Sequence, residues 1–585
     1  MTNYNPLNPL IIQSDKTVLL EVDNAQYAAA RDVLARFAEL EKSPEYVHTY
    51  RISPLSLWNA AAAGLSAEAI LGGLEQYAKY PVPGNVRVDI ADSISRYGRV
   101  KLIKRDDQLL LTSTDILLIT ELTRRKELKP YILAQLDPAT LLVNAAMRGH
   151  VKHALVQIGY PAEDLAGYVT GEALSIQLRT RTNSGKPFHL RDYQETAADV
   201  FYADGADHGG SGVIVLPCGA GKTMVGMAAM SAIQANTLIL TPNSISVQQW
   251  IAELLDKTSL TEDQVGEYTG QRKEIKPITV ATYQTITYRK RGAKQENSSA
   301  LALSREHYPH FDLFDQRNWG LIIYDEVHLL PAPVFSITAE LQARRRLGLT
   351  ATLVREDNRE EDVFSLIGPK KYDVPWKDLE RQGWIAEADV IEVRIPIPDD
   401  LRMDYVMADQ RQKYRVAACS PAKLEVTARL LDKHPDDQVL IIGMYLEQLH
   451  EVQRCFGFPL LTGETPMRER RKLYERFRSG ALRQLIISKV GNFAIDLPDA
   501  NVMIQISGTF GSRQEEAQRL GRILRPKSNG QLAHFYTLVT RDTQDQEFGA
   551  NRQLFLTEQG YQYTILYAHE VADYQPRTVT MANGE

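Results

Sequence analysis

Long apolar runs are missing from this sequence, and so are closely spaced cysteines and any surplus of positive charge. No stretch approaches the ~20 apolar residues that a membrane-spanning helix needs. The opening residues, MTNYNPLNPLIIQSD, hold no basic segment followed by a long apolar one, so a secretory signal is not expected. Only three cysteines occur, Cys218, Cys419 and Cys455, and no two are close in sequence. That excludes a disulfide framework or a cysteine-rich zinc site and suits a reducing, cytoplasmic setting. The net charge is −6. A protein that passively coats nucleic acid would be basic, whereas a motor that holds its track transiently needs only local basic grooves.

What is present is the profile of a globular chain too long for a single core. Of 585 residues, 44% are hydrophobic and 24% charged, which sets an expectation of three or four domains. Residues 1–115 read as a mixed α/β accessory domain. It has a strand-like run at Thr17–Val22 and helix-like stretches at Ala25–Leu40 and Ser56–Tyr77. Residues 116–187 read as a second region, with a helix at Asp115–Arg125 and a polar linker, RTNSGKPF, at 181–188. From 188 to 384 short apolar runs such as Val213–Leu216, Leu238–Leu240 and Leu321–Tyr324 alternate with helical stretches. The pattern resumes over 385–570 with Val439–Ile442, Leu485–Ile487 and Phe535–Leu538. Buried parallel strands read this way, so two α/β lobes are expected, although no sequence repeat links them.

LPCGAGKT, ending at Gly221-Lys222-Thr223, follows the strand VIVL and precedes a helical run. That is the context a phosphate loop requires. Gly219 and Gly221 let backbone N–H groups approach phosphate oxygens, Lys222 would reach the β/γ-phosphates, and the Thr223 hydroxyl would complete a Mg²⁺ site. Leu216 stands where the strict pattern begins with glycine, which marks a variant. Asp325-Glu326-Val327-His328 ends the apolar run LIIY. Acids at a strand's C-terminal end sit where open parallel sheets bind ligands. Asp325 would hold Mg²⁺, Glu326 would orient the attacking water, and His328 would link the site toward a second lobe.

In QEEAQRLGRILRP, Gln518, Gly521, Arg522 and Arg525 share one helical face. Arg522 and Arg525 are candidate arginine fingers for a γ-phosphate; taken alone, the segment reads equally as an Arg-rich solvated helix. Gln194, in LRDYQ, is a candidate adenine reader. LTAT supplies Thr350 and Thr352 as a link between nucleotide state and track. SKVGNFAIDLP offers Ser488 and Lys489 near the track and Asp496 near the ATP ribose. Each of these three segments also reads as an ordinary turn or core stretch. TPMRERRKLYERFRSG reads as a helix with Thr465 as its N-cap and Gly480 as its stop.

Taken together, PCGAGKT, DEVH, LTATLVRED, ISKVG with IDLPDANVMIQIS, and SRQEEAQRLGRILRP resemble the XPB branch of helicase superfamily 2, over about Phe188 to Gln562. The resemblance implies an α/β fold of two RecA-like parallel-sheet motor lobes preceded by N-terminal α/β accessory domains. It implies ATP and Mg²⁺ as cofactors and 3′→5′ helicase or double-strand translocase activity on duplex or forked DNA in repair or transcription. A nuclease or repair protein is an implied partner. A membrane role is not expected, and a bacterial-type member would be cytoplasmic and nucleoid-associated. Arg355-Glu356-Asp357, directly after LTATLV, matches the family's R-E-D loop near the DNA fork. A damage-recognition-like region is implied within 116–185, and a family thumb insertion is reduced here to about Asp399–Arg415. An RNA helicase or a restriction-type motor subunit on the same engine stands as the alternative.

Overall fold

A computed structural model describes residues 4–42, 46–206, 209–217, 219–289, 308–331, 344–351, 360–374, 376–488, 500–508, 532–558 and 563–577, with a few isolated residues between these stretches. Apart from two short pieces (40–48 and 217–220), residues 1–374 form one compact unit and 375–585 a second.

The first unit opens with a small sheet in which Leu10–Ile12 pairs antiparallel with Thr17–Glu21. Three helices follow at Pro54–Ala62, Ala67–Tyr77 and Gly84–Arg96. The single helix expected over Ser56–Tyr77 is therefore two. The chain turns at Gly64, with φ +86°, and restarts at Ser66, whose side chain caps the next helix by accepting from Ala69 N. The stretch expected as one helix over Ala25–Leu40 is helical only at Tyr27–Leu34 and enters a strand at Glu39. Asp115 caps the helix Ile116–Arg124 by accepting from Leu117 N and Leu118 N, as its position before an apolar run suggests.

The expected boundary at 115/116 does not separate two folding units. Strands Lys101–Arg105 and Gln108–Thr112 form a hairpin whose second strand pairs with Thr140–Val143, and Glu163–Leu165 adds to the first. Ile132–Asp137 completes a five-stranded sheet that spans the boundary and shares one core around Leu102, Leu111, Leu141 and Val151. Nor is 181–188 a free linker. Asn183 N donates to Asp256 O, and its side-chain amide to Leu255 O at 2.7 Å, which lays the segment along the first lobe.

The first lobe is a seven-stranded, all-parallel sheet. Across it run Val265–Tyr268, Ile278–Thr282, Thr237–Thr241, Leu321–Asp325, Arg345–Thr350, Ser211–Val215 and Lys370–Asp373. Its central strands are buried end to end, which is why they read as apolar runs rather than alternating patterns. The second unit carries another seven-stranded parallel sheet: Leu460–Leu461, Gln484–Ser488, Val439–Gly443, Val502–Gln505, Ala533–Thr540, Ala388–Ile395 and Tyr563–Tyr567. Numbering each lobe's strands in chain order gives the same spatial order in both, 3-4-2-5-6-1-7. The two lobes therefore share one architecture without a visible sequence repeat.

In the second unit the basic helix runs over Met467–Arg478, and Pro466, not Thr465, occupies the cap position. Thr465 Oγ1 instead accepts from Thr462 N. Arg470 is turned inward onto Thr462 O and Gly463 O, so it braces its own turn. Gly480, at φ +74°, ends the helix as expected.

Candidate active site

The buried strand Ser211–Val215 delivers the chain to the phosphate loop, and Leu216 N donates to Thr350 O at 2.9 Å. Gly219 and Gly221 then take φ values of +84° and +83°, the left-handed region that favours glycine. Lys222 and Thr223 open the helix Lys222–Ile233, so the loop's amides and the helix N-terminus converge where a phosphate would bind. Gln194 is buried against this turn. Its Oε1 accepts from Arg191 N at 3.0 Å, and a methyl on Gly221 would stand 2.5 Å from its Nε2.

Asp325 closes the neighbouring-but-one strand, Leu321–Asp325, and Glu326 follows it at φ +49°. That left-handed backbone is uncommon for a residue with a side chain. It accompanies a direct contact, because Glu326 Oε1 accepts from Lys222 Nζ at 2.6 Å. The other carboxylate oxygen, Oε2, has no hydrogen-bond partner among the described residues and lies 3.4 Å from His328 Nδ1. His328 is buried, and its Nδ1 shares a 2.6 Å hydrogen bond with Thr350 Oγ1. Lys222, Glu326, His328 and Thr350 thus form one chain of contacts at the C-terminal edge of the sheet.

Removal from solvent pushes the Asp325 carboxyl up to about 6, with the neighbouring Glu326 charge adding to the rise. Burial alone would raise Glu326 too, but Lys222 and His328 outweigh it and hold that carboxyl below its ordinary value. The two acids are therefore driven apart in proton affinity, the separation that assigns unlike roles to adjacent carboxylates.

Three residues around Asp325 were not singled out from the sequence. Trp250 Nε1 donates to Asp325 Oδ2 at 2.9 Å, and Tyr283 OH donates to Asp325 O at 2.9 Å. Gly226 makes room for this arrangement, since a methyl there would stand 2.6 Å from the Trp250 ring. Trp250 shares its helix face with Val247 and Leu254 and reads as core, so only its indole N–H, once placed, reveals the second task.

Of the remaining candidates, Ser488 ends the strand Gln484–Ser488 in the second unit and is buried, so its hydroxyl is not offered to solvent. Thr352, Arg355, Glu356, Asp357, Lys489, Asp496, Gln518, Arg522 and Arg525 lie outside the described residues. Gly521 is helical, and in the same segment Arg519 is fully buried and donates to Gln505 Oε1. One of its arginines is therefore a structural strut.

A phosphate loop, an acid pair at the end of the strand next but one and a second lobe of like topology define a nucleotide-hydrolysing motor of the two-lobe helicase class. Residues 379–584 match the family described as ERCC3/RAD25/XPB C-terminal helicase. Residues 187–355 match the Type III restriction enzyme res subunit, and residues 10–137 a helicase conserved C-terminal domain. A protein of Mycobacterium tuberculosis named DNA 3'-5' helicase XPB is 54% identical over 96% of this chain and 98% of its own. One of that name from Kineococcus radiotolerans is 52% identical over 96% and 97%. The general transcription and DNA repair factor IIH helicase/translocase subunit XPB of Enterocytozoon bieneusi is 33% identical over 95% and 92%. The chain belongs to the XPB family of superfamily 2 helicases.

Proposed function

We propose that the chain is an ATP-driven 3′→5′ DNA helicase or double-strand translocase that opens or remodels duplex DNA in repair or transcription. The single observation that carries this reading is the 2.6 Å Lys222–Glu326 contact at the mouth of the phosphate loop, within a chain whose relatives named DNA 3'-5' helicase XPB match along nearly its whole length. Lys222 neutralises the β/γ-phosphates of ATP. As it turns to them it releases Glu326, whose carboxylate then accepts a hydrogen bond from the attacking water and orients it in line. Arg522 and Arg525 supply charge to the γ-phosphate in the transition state.

Mg²⁺ fits the donors present. Asp325 is an acid whose ionised form is disfavoured by burial and by Glu326, a penalty that a divalent cation reverses. Thr223, at the second position of the phosphate-loop helix, would hold the same ion through its hydroxyl. When bound, the metal would draw charge from the β- and γ-phosphate oxygens.

Gln194 reads the adenine, Asp496 holds the ribose, and His328, Thr350 and Thr352 relay nucleotide state to the track. Arg355, Glu356 and Asp357 separate the strands at a fork, with Lys489 on the backbone. The accessory region, including 116–187, engages DNA and a repair partner protein. The test is unwinding of partial duplexes tailed at either the 3′ or the 5′ end. The wild-type chain unwinds from the 3′ tail. Arg355→Ala/Glu356→Ala/Asp357→Ala keeps DNA-stimulated ATPase within a few-fold but fails on forks. Unwinding from the 5′ tail, or a triple variant as fast as wild type, would contradict the assignment.

A further inference from the structure

The second lobe buries a set of charges that the nucleotide reading does not use. Lys423 and Asp545 are 1% and 0% exposed and meet at 2.6 Å. Lys423 Nζ also donates to Ile506 O at 2.9 Å and Leu538 O at 3.0 Å, so its three hydrogens have three acceptors. Asp545 Oδ2 accepts from Thr540 N at 3.0 Å. Together the pair ties down the chain just beyond the strand Val502–Gln505 and the end of its neighbour, Ala533–Thr540.

Arg552, on the helix Gln544–Glu558, is equally buried. Its guanidinium lies over Gly508, where an added methyl would stand 2.3 Å from Arg552 Cζ. The Arg552 Nε lies 3.8 Å from Glu516 Oε2. Glu516 in turn accepts from Gln505 Nε2 at 3.0 Å, and Arg519 donates to Gln505 Oε1. Tyr414 OH donates to Gly508 O, fastening the same turn from another helix.

Burying three cations and their acids is poor economy for stability alone, because desolvation offsets most of the attraction. What such a network secures is position. Here Lys423, Tyr414, Arg552, Glu516 and Arg519 touch residues 505–508 or belong to the root of the segment at 516–519, which leads in sequence to Arg522 and Arg525, and Asp545 reaches them through Lys423. These are the C-terminal ends of parallel strands, the edge where such sheets do their chemistry.

We propose that Arg552 is a positioning residue for ATP hydrolysis, with Lys423 and Asp545 in support. They hold residues 505–508 and the helical residues Glu516 and Arg519, the last described anchors before Arg522 in the sequence. The inference rests on the proposed role of Arg522 and Arg525. It concerns neither nucleotide contact nor DNA contact.

The test compares Arg552→Lys, which keeps the charge but loses the planar fork, with Gly508→Ala, which crowds the same guanidinium without touching a charge. Both are measured for ATP affinity by fluorescent-nucleotide titration, for single-turnover hydrolysis with duplex DNA, and for thermal stability, beside wild type, Lys222→Ala and Arg522→Ala. Positioning predicts ATP affinity within about threefold of wild type and hydrolysis slowed by at least about tenfold in each variant. It also predicts that the combined variant is no slower than the worse single one. A purely structural role predicts losses that follow the folded fraction and strike affinity and turnover alike. Hydrolysis within about twofold of wild type in both variants, with Arg522→Ala inactive, would overturn the inference alone. An active Lys222→Ala or Arg522→Ala would overturn the reading on which it rests.

Discussion

Lys222 and Glu326 meet at 2.6 Å, and their roles differ toward a bound phosphate. Lys222→Ala removes the charge that receives the phosphates, whereas Glu326→Gln removes the water-orienting carboxylate and leaves the pocket. Both variants should lose turnover, but only Lys222→Ala should lose ATP affinity in a fluorescent-nucleotide titration. Equal affinities would contradict the roles. Trp250 supplies the next test at this scale. Its indole N–H is a donor to Asp325 Oδ2, and charge-assisted bonds of this kind contribute about 1.5–3 kcal/mol. Trp250→Phe should therefore slow DNA-stimulated hydrolysis by about tenfold or more while the fold, followed by circular dichroism, is retained. Unchanged turnover would reduce Trp250 to a packing residue.

At the scale of elements, the starts of the strands Val439–Gly443, Val502–Gln505 and Ala533–Thr540 are stitched by a polar cluster. His434 Nδ1 bonds Asp437 Oδ2 at 2.8 Å, and His434 Nε2 meets Tyr536 OH at 2.8 Å. Asn501 Nδ2 donates to Asp437 Oδ1 at 2.8 Å, and His534 faces the same acid. The His434 hydrogen bond is the main reason that the Asp437 carboxyl is lowered to about 2. A carboxyl held below its unfolded value of ~4 stabilises the fold above that value and loses its contribution as pH falls toward the folded one. Asp437→Asn should accordingly lower the melting temperature at neutral pH and flatten its fall between about pH 4 and 2. An acid profile parallel to wild type would exclude Asp437 as a contributor.

Elements also show where sequence reading succeeds. The phosphate loop and the Asp325–Glu326 pair were legible because each depends on neighbours within a few residues: an apolar strand, a tight turn and a helix start. The helix beginning at Asp115 and the helix stop at Gly480 were legible for the same reason. Trp250 was not, since its partner Asp325 is 75 residues away and its spacing is that of core. The boundary at 115 failed likewise, because Gln108–Thr112 finds its pairing strand at Thr140–Val143, across a helix and a strand that local patterns cannot connect. The shared strand order of the lobes was invisible because topology is set by long-range pairing and tolerates complete change of side chains.

At the scale of the whole molecule, two sheets of one topology, an acid pair poised by Lys222 and a family of DNA helicases converge on a motor whose ATP use answers to its track. ATP hydrolysis measured with no nucleic acid, single-stranded DNA, duplex DNA, forked DNA and RNA tests that claim most directly. A motor of this kind shows a low basal rate, strong stimulation by DNA containing duplex, little by RNA, and no stimulated activity in Lys222→Ala. Hydrolysis indifferent to DNA, or stimulated equally by RNA, would contradict it.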